Sequence, residues 1–172
     1  VQVLSEKFSN FNSSKKFDVI TLIGVLEYAN MFSDGIDPFH TMLAQVGDML
    51  SDNGCLIVAI ENQLGLKYFA GAPEDHLGID MYGVEGRYLN NQPQTFGRIE
   101  LTEKMKAAGF CQTDLYAPFP DYKLPSSIVA EAGFRHPHFA GEALATENVK
   151  NDPQLPKILN FSPELVWPTL RE

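Results

Sequence analysis

Two runs of apolar, largely β-branched residues frame this chain: FDVITLI over Phe17–Ile23 and CLIVAI over Cys55–Ile60. Runs with so few polar residues suit strands covered on both faces, the situation of parallel sheets. Between them lies a helix with legible ends. Asp37-Pro38 supplies an N-cap followed by proline at the first helical position, where a missing N–H breaks no helical bond. Phe39, Met42, Leu43, Val46, Met49 and Leu50 then recur at three- and four-residue spacing and form one apolar stripe. Ser51-Asp52-Asn53-Gly54 stops the helix with a glycine that tolerates a left-handed turn. Strand, helix and strand with short joins make a right-handed βαβ unit, so the strands are expected to lie parallel beneath a covering helix.

Val1–Leu4 reads as a further short strand and Ser5–Lys16 as a polar loop. From Glu61 to Gly97 the pattern gives way to Gly, Pro, Tyr, Asn and Gln, and a segment this long without periodicity is usually functional or disordered. A helix is expected over Glu100–Ala108, led by Arg98-Ile99 and stopped by Gly109. Strands are expected over Phe110–Tyr116 and Ser126–Glu131, joined by a loop over Pro118–Pro125. Beyond Gly133, residues 134–172 read as an irregular or helical extension with short helices over Leu144–Asn148 and Pro163–Leu170.

The 172 residues are enough for one domain with a real core. A net charge of -9, with no basic cluster beyond Lys15-Lys16, argues against a nucleic-acid partner. No apolar run approaches the roughly 20 residues of a membrane span. The N-terminus lacks the parts of a signal peptide and an initiator Met, so a cytoplasmic protein and a piece of a longer chain are expected. Cys55 and Cys111 sit in apolar contexts without metal-ligand spacing and are expected as buried free thiols. His136-Pro137-His138 is too small a pattern to mark a metal, and no metal is expected.

The order of elements resembles the C-terminal half of class I S-adenosylmethionine-dependent methyltransferases. FDVITLIGVLEYA (Phe17–Ala29) resembles the fourth-strand segment of that family, with an Asp near the strand start and Gly-Val-Leu-Glu at its end. MLSDNGCLIVAIEN (Met49–Asn62) resembles the next helix end and fifth strand, and TFGRIELTEKMKAAGF (Thr95–Phe110) the penultimate helix leading into the sixth. ENQLGLKYFAGAPEDHLG (Glu61–Gly78) and PFPDYKLP (Pro118–Pro125) resemble a bacterial subgroup associated with surface-polysaccharide gene clusters. The resemblance spans Phe17–Gly133 and implies an α/β, Rossmann-like methyltransferase fold, present as its C-terminal half over residues 1–133. Its sheet would be mixed, with strands in the order 4-5-7-6 and the first two strands absent. The family's glycine-rich turn after the first strand has no counterpart, because Gly83 and Gly86 in GVEGRY follow no buried strand. The fourth strand would then present a bare apolar edge. That edge is expected either to take up Val1–Leu4 beside Val19–Ile23 or to pair with a second copy of the chain as a homodimer.

The resemblance places S-adenosylmethionine against Gly24, Val25 and Leu26, at the carboxyl end of a parallel strand where open α/β sheets bind ligands. Glu61 and Asn62 leave the next strand on the same edge and could grip a hydroxylated acceptor, as could Asp121, Tyr122 and Lys123 in the last loop. Glu27 reads as a capping residue of the turn that follows the strand. Glu74-Asp75-His76 is the best candidate for proton transfer, with His76 and Asp75 as the catalytic pair, since a carboxylate-oriented His works as a base at neutral pH. Tyr68, Phe69, Tyr82 and Tyr88 suit packing of the long loop or stacking on sugar faces. The expected activity is methyl transfer to an oxygen of a glycan or other small hydroxylated acceptor by the parent protein, with this chain inactive by itself. The competing expectation is a non-catalytic binding or scaffolding domain of a polysaccharide-assembly protein. A different Rossmann-like enzyme, such as a nucleotide-sugar enzyme, is disfavoured because the glycine-rich turn and a Tyr-x-x-x-Lys motif are missing.

Overall fold

The two apolar runs form strands and the capped stripe between them forms a helix. The computed structural model describes residues 1–32, 35–69 and 71–145, apart from the side chains of Glu142 and Ala145. In chain order the elements are β1 (Phe17–Ile23), α1 (Ala29–Phe32), α2 (Pro38–Met49), β2 (Leu50–Ala59), α3 (Leu66–Phe69), α4 (Arg98–Ala107), β3 (Tyr116–Phe119), β4 (Ser127–Ala130), α5 (Glu131–Phe134) and α6 (Gly141–Ala145). The chain divides into two units, Val1–Gln63 with Arg87–Thr113, and Leu64–Gly86 with Asp114–Glu172. The architecture is α/β, with one small parallel and one small antiparallel sheet.

In the first unit β1 and β2 run parallel, in register from Val19↔Cys55 to Ile23↔Ala59. α2 starts as its sequence dictates: Asp37 Oδ1 accepts the His40 N–H at 3.0 Å, and Pro38 occupies the first turn. Its stripe buries Phe39, Met42, Leu43, Val46 and Met49. All of these but Met49 join Leu22, Leu26, Ala29, Phe96 and Met105 in one core. Phe39 meets Phe96 edge-to-face at 4.8 Å, and Lys104 Nζ lies 5.0 Å from the Phe96 ring centroid, a cation–π contact from α4. Gly109, at φ 98°, follows α4 in the left-handed conformation that glycine adopts without strain.

Several expectations need correction. Among the described residues β1 is covered on one face only. Ile20 and Leu22 face the core, whereas Val19, Thr21 and Ile23, with Ile57 of β2, are exposed. The reason is that α2 and α4 both bury their apolar residues in the same core, on the Leu22 side. Val1–Leu4 forms no strand and does not fill the place beside Val19–Ile23; among the described residues the sheet neighbour of β1 is β2. The following segment is tethered to α2 instead, where Gln45 Nε2 donates to the carbonyls of Phe8 (3.0 Å) and Phe11 (2.9 Å).

Gly54 is not a left-handed helix stop. β2 begins at Leu50, directly after the helix, and a register shift between Phe17 and Val19 absorbs the extra residues. A Cβ at Gly54 would sit 2.9 Å from the Phe17 carbonyl oxygen and 3.0 Å from that of Ser51, so glycine is required by close backbone approach. Cys55 and Cys111 are exposed rather than buried, Cys55 because it lies on the uncovered face of the parallel pair.

In the second unit β3 and β4 pair antiparallel from Tyr116↔Ala130 to Phe119↔Ser127. Among the described residues the strands therefore form two sheets of two and not a single 4-5-7-6 sheet. The strand expected over Phe110–Tyr116 begins only at Tyr116. Residues after Gly109 instead complete the α4 terminus: the Phe110 N–H donates to the Met105 carbonyl at 3.1 Å, and its ring packs against the first-unit core. Of the helix expected over Leu144–Asn148, α6 covers Leu144 and Ala145; the remainder, and Pro163–Leu170, lie outside the described residues. Among the described residues no helix is long and apolar enough to cross a membrane.

Leu43 is fully buried, and Leu43→Ala is expected to lower stability by about 2–5 kcal/mol. Asp37→Ala removes the cap and is expected to lower it by about 1 kcal/mol, while Val19→Ser on the open face changes it by no more than ~0.5 kcal/mol. Urea denaturation of the three variants checks this ranking; a Val19 effect as large as that of Leu43 would mean the second face of the pair is covered.

Candidate functional site

In the first unit the carboxyl ends of the parallel strands gather polar groups. Gly24, at φ 63°, turns the chain as it leaves β1, and its N–H donates to the Ala59 carbonyl at 2.9 Å. Val25 is 39% exposed, whereas Leu26 is fully buried and its side chain belongs to the core. Glu27 follows in a 3-10 turn and is 1% exposed, so a carboxyl group is built into the protein here. Its backbone carbonyl accepts the Gln94 N–H at 2.8 Å. On the β2 side, Asn62 pairs with Phe96 in a parallel bridge and the Gln63 N–H donates to the Phe96 carbonyl at 3.1 Å. Glu61 leaves β2 half-buried, with a carboxylate oxygen within 4.8 Å of one on Glu27.

Two carboxylates this close suit holding a positively charged group. Sequence reasoning set Glu61 and Asn62 on this edge but gave Glu27 only a capping role. It also missed Gln94 and Thr95, which line up here through the Phe96 bridge; Thr95 is fully buried and its Oγ1 lies 2.8 Å from the Tyr88 hydroxyl. No local signal in the loop marks those two residues, because their place depends on a pairing more than thirty residues away in sequence.

In the second unit the Glu74-Asp75-His76 segment separates into two arrangements. Glu74 is 2% exposed, and its Oε2 accepts the N–H groups of His76 (2.8 Å) and Leu77 (2.6 Å). Its Oε1 lies 3.1 Å from His76 Nδ1. The loop closes around this carboxylate: the Gly78 N–H donates to the Glu74 carbonyl, the Glu74 N–H to that of Ile79, and Pro73 bridges Asp80.

Asp75 turns the other way. Its Oδ1 accepts from Lys67 Nζ at 2.8 Å and its Oδ2 accepts from the Tyr68 hydroxyl. Partial burial pushes the Asp75 carboxyl up, but the bonds from Lys67 and Tyr68 and the charges of Lys67 and Lys123 outweigh it, holding the group below its ordinary value. The carboxylate touching the His76 ring is thus Glu74, while Asp75 forms an ion pair with Lys67. Among the acceptor-side residues of the last loop, Asp121 Oδ1 accepts the Lys123 N–H at 2.6 Å, and Lys123 Nζ lies 4.7 Å from the Tyr122 ring centroid. The Lys123 charge also acts on Asp75, which links this loop electrostatically to the 75–76 segment.

The chain matches no protein-family model, no curated protein and no solved structure.

The Asp75 arrangement has a pH signature. Because its folded-state pKa is depressed, its contribution to stability is present above the ordinary value of 3.8 and is lost as the pH falls through the lower folded value. Asp75→Asn is therefore expected to be less stable than the wild type at about pH 7, with the gap closing toward about pH 2. Denaturation midpoints of the two proteins across that range check the sign.

Proposed function

We propose that this chain is the C-terminal half of a Rossmann-like, S-adenosylmethionine-dependent methyltransferase of the cytoplasm. Its longer parent would methylate an oxygen of a hydroxylated acceptor, a glycan precursor being the favoured class. The observation that carries the reading is the edge made by Gly24–Glu27 and Glu61–Asn62 at the carboxyl ends of two adjacent parallel strands, the place where open α/β sheets bind their ligands.

The residues fit part of the cofactor's site. Gly24 has no side chain to keep a ligand from the backbone turn, and Val25 offers an exposed apolar surface suited to an adenine ring. Leu26 supports that turn from the core and contributes no side-chain contact. When bound, S-adenosylmethionine supplies a methyl group whose bond to sulfur breaks with the electron pair left on sulfur. The work of this chain is alignment of the acceptor and removal of its hydroxyl proton as the oxygen bonds to carbon. His76 is the base of the second unit for that proton, and Asp121, Tyr122 and Lys123 suit a hydroxylated acceptor. The second reading is a non-catalytic binding or scaffolding role in a polysaccharide-assembly protein.

Calorimetric titration with S-adenosylmethionine of this chain, and of a longer form carrying upstream sequence, separates the two. The expected result is binding by the longer form at a Kd between about 1 µM and about 1 mM, weakened at least about tenfold by Gly24→Val, which places a branched side chain in a left-handed turn. No binding by either form would favour the non-catalytic role.

A further inference from the structure

We propose that Asn53 is a site of spontaneous modification: in the folded chain its side chain cyclises onto the Gly54 nitrogen and converts to aspartate and isoaspartate. The site lies toward the amino end of β2, away from the carboxyl-end edge described above, and is independent of the methyl-transfer reading.

Asn53-Gly54 is the only Asn-Gly pair in the sequence. The reaction needs a carboxamide directly before an unhindered backbone nitrogen, and glycine, which has no Cβ, hinders it least. Paired strands resist it, because the ladder fixes the dihedrals that must rotate. Here the ladder is interrupted. Phe17 pairs with Leu50 and Val19 with Cys55, so residues 51–54 stand opposite Asp18 alone and outside the paired register. Asn53 is exposed. Ser51, Asp52 and Gly54 line an open cavity of about 540 Å³ beside the last turn of α2, which admits the water that completes the reaction. Position 54 cannot take a bulkier residue that would slow the attack, because a Cβ there would meet the Phe17 and Ser51 carbonyl oxygens at 2.9 and 3.0 Å. The close approach that requires this glycine therefore also preserves the reactive pair.

The Gly54 nitrogen, on losing its proton, attacks Asn53 Cγ. A C–N bond forms, the bond from Cγ to the amide nitrogen breaks, and ammonia leaves. Water then opens the cyclic imide. Opening at Cγ gives aspartate; opening at the main-chain carbonyl gives isoaspartate, whose backbone runs through the side chain and is one carbon longer. Either product sets a new carboxylate beside Asp52 and opposite Asp18. The added carbon also lengthens the chain next to the tight contact of Gly54 with Phe17, so isoaspartate disturbs the pairing of β1 with β2 more than aspartate does.

The test is incubation of the full chain at mildly alkaline pH, native and in urea, followed by peptide mass spectrometry that separates aspartate from isoaspartate products. Conversion of Asn53 in the native chain is expected to be slower than in urea by no more than about tenfold, as for a segment whose local opening costs little. Asn53→Gln is expected to abolish it. A greater slowing, or an asparagine retained in the native chain while it converts in urea, overturns the proposal, because the fold then protects the pair. If Asn53→Gln does not fold, the comparison of native and unfolded wild type still decides. Asn53→Asp separates the charge from the added carbon: its urea midpoint is expected to fall between those of the unmodified chain and the isolated isoaspartate form. An isoaspartate form as stable as Asn53→Asp overturns the effect on strand pairing.

Discussion

The burial of one helical stripe against one face of a two-stranded parallel pair is the interaction on which the first unit depends. Leu43 and Val46 of α2 share one core with Leu22 of β1, and the same core takes in Phe96 and Met105 from the segment that returns after residue 87. Two parallel strands have little stability alone, because their ladder is short and slanted and they need a crossover to meet. The helix supplies both the crossover and the apolar surface. Once it is docked, the carboxyl ends of β1 and β2 are held side by side, and Gly24, Glu27 and Glu61 come together without further instruction.

The second unit organises its polar groups by a different device. Its strands are four residues long and little of its local structure comes from ladders. What orders residues 73–80 is a buried carboxylate that collects backbone N–H groups, much as an N-cap does at the start of a helix. Burial of Glu74 is tolerable because its oxygens are engaged by the loop that surrounds them. A group needed for backbone order is thereby also a group in contact with a histidine ring.

How legible all this was in the sequence differs by element. The β1–α2–β2 unit was readable because Asp37-Pro38, the helical stripe and the two apolar runs each have a local cause. One-sided burial of β1 was not, since the residues of its two faces, Leu22 and Ile23 for instance, are equally apolar and only the placement of α2 and α4 distinguishes them. Phe110 was misread as a strand residue because its hydrophobicity serves the core from a helix terminus. At the candidate site, the sequence marked the Glu74–His76 segment as a unit but could not tell which neighbouring acid reaches the ring. Adjacent side chains on an irregular backbone point in different directions, and only the closure of the 73–80 loop settles that Glu74 turns inward.

The crowded backbone at Gly54 reaches further than its own turn. A side chain there would press on the carbonyls of Phe17 and Ser51 and push β2 along β1. Strand faces alternate with every residue, so a slip of one position exchanges odd for even. Ile57 of β2 would then turn toward the core, and Leu56 and Val58, which pack against it now, would turn to the open face. The absence of a single methyl group at Gly54 thus acts as a parity check on the sheet, deciding which half of an ambiguous apolar strand becomes interior.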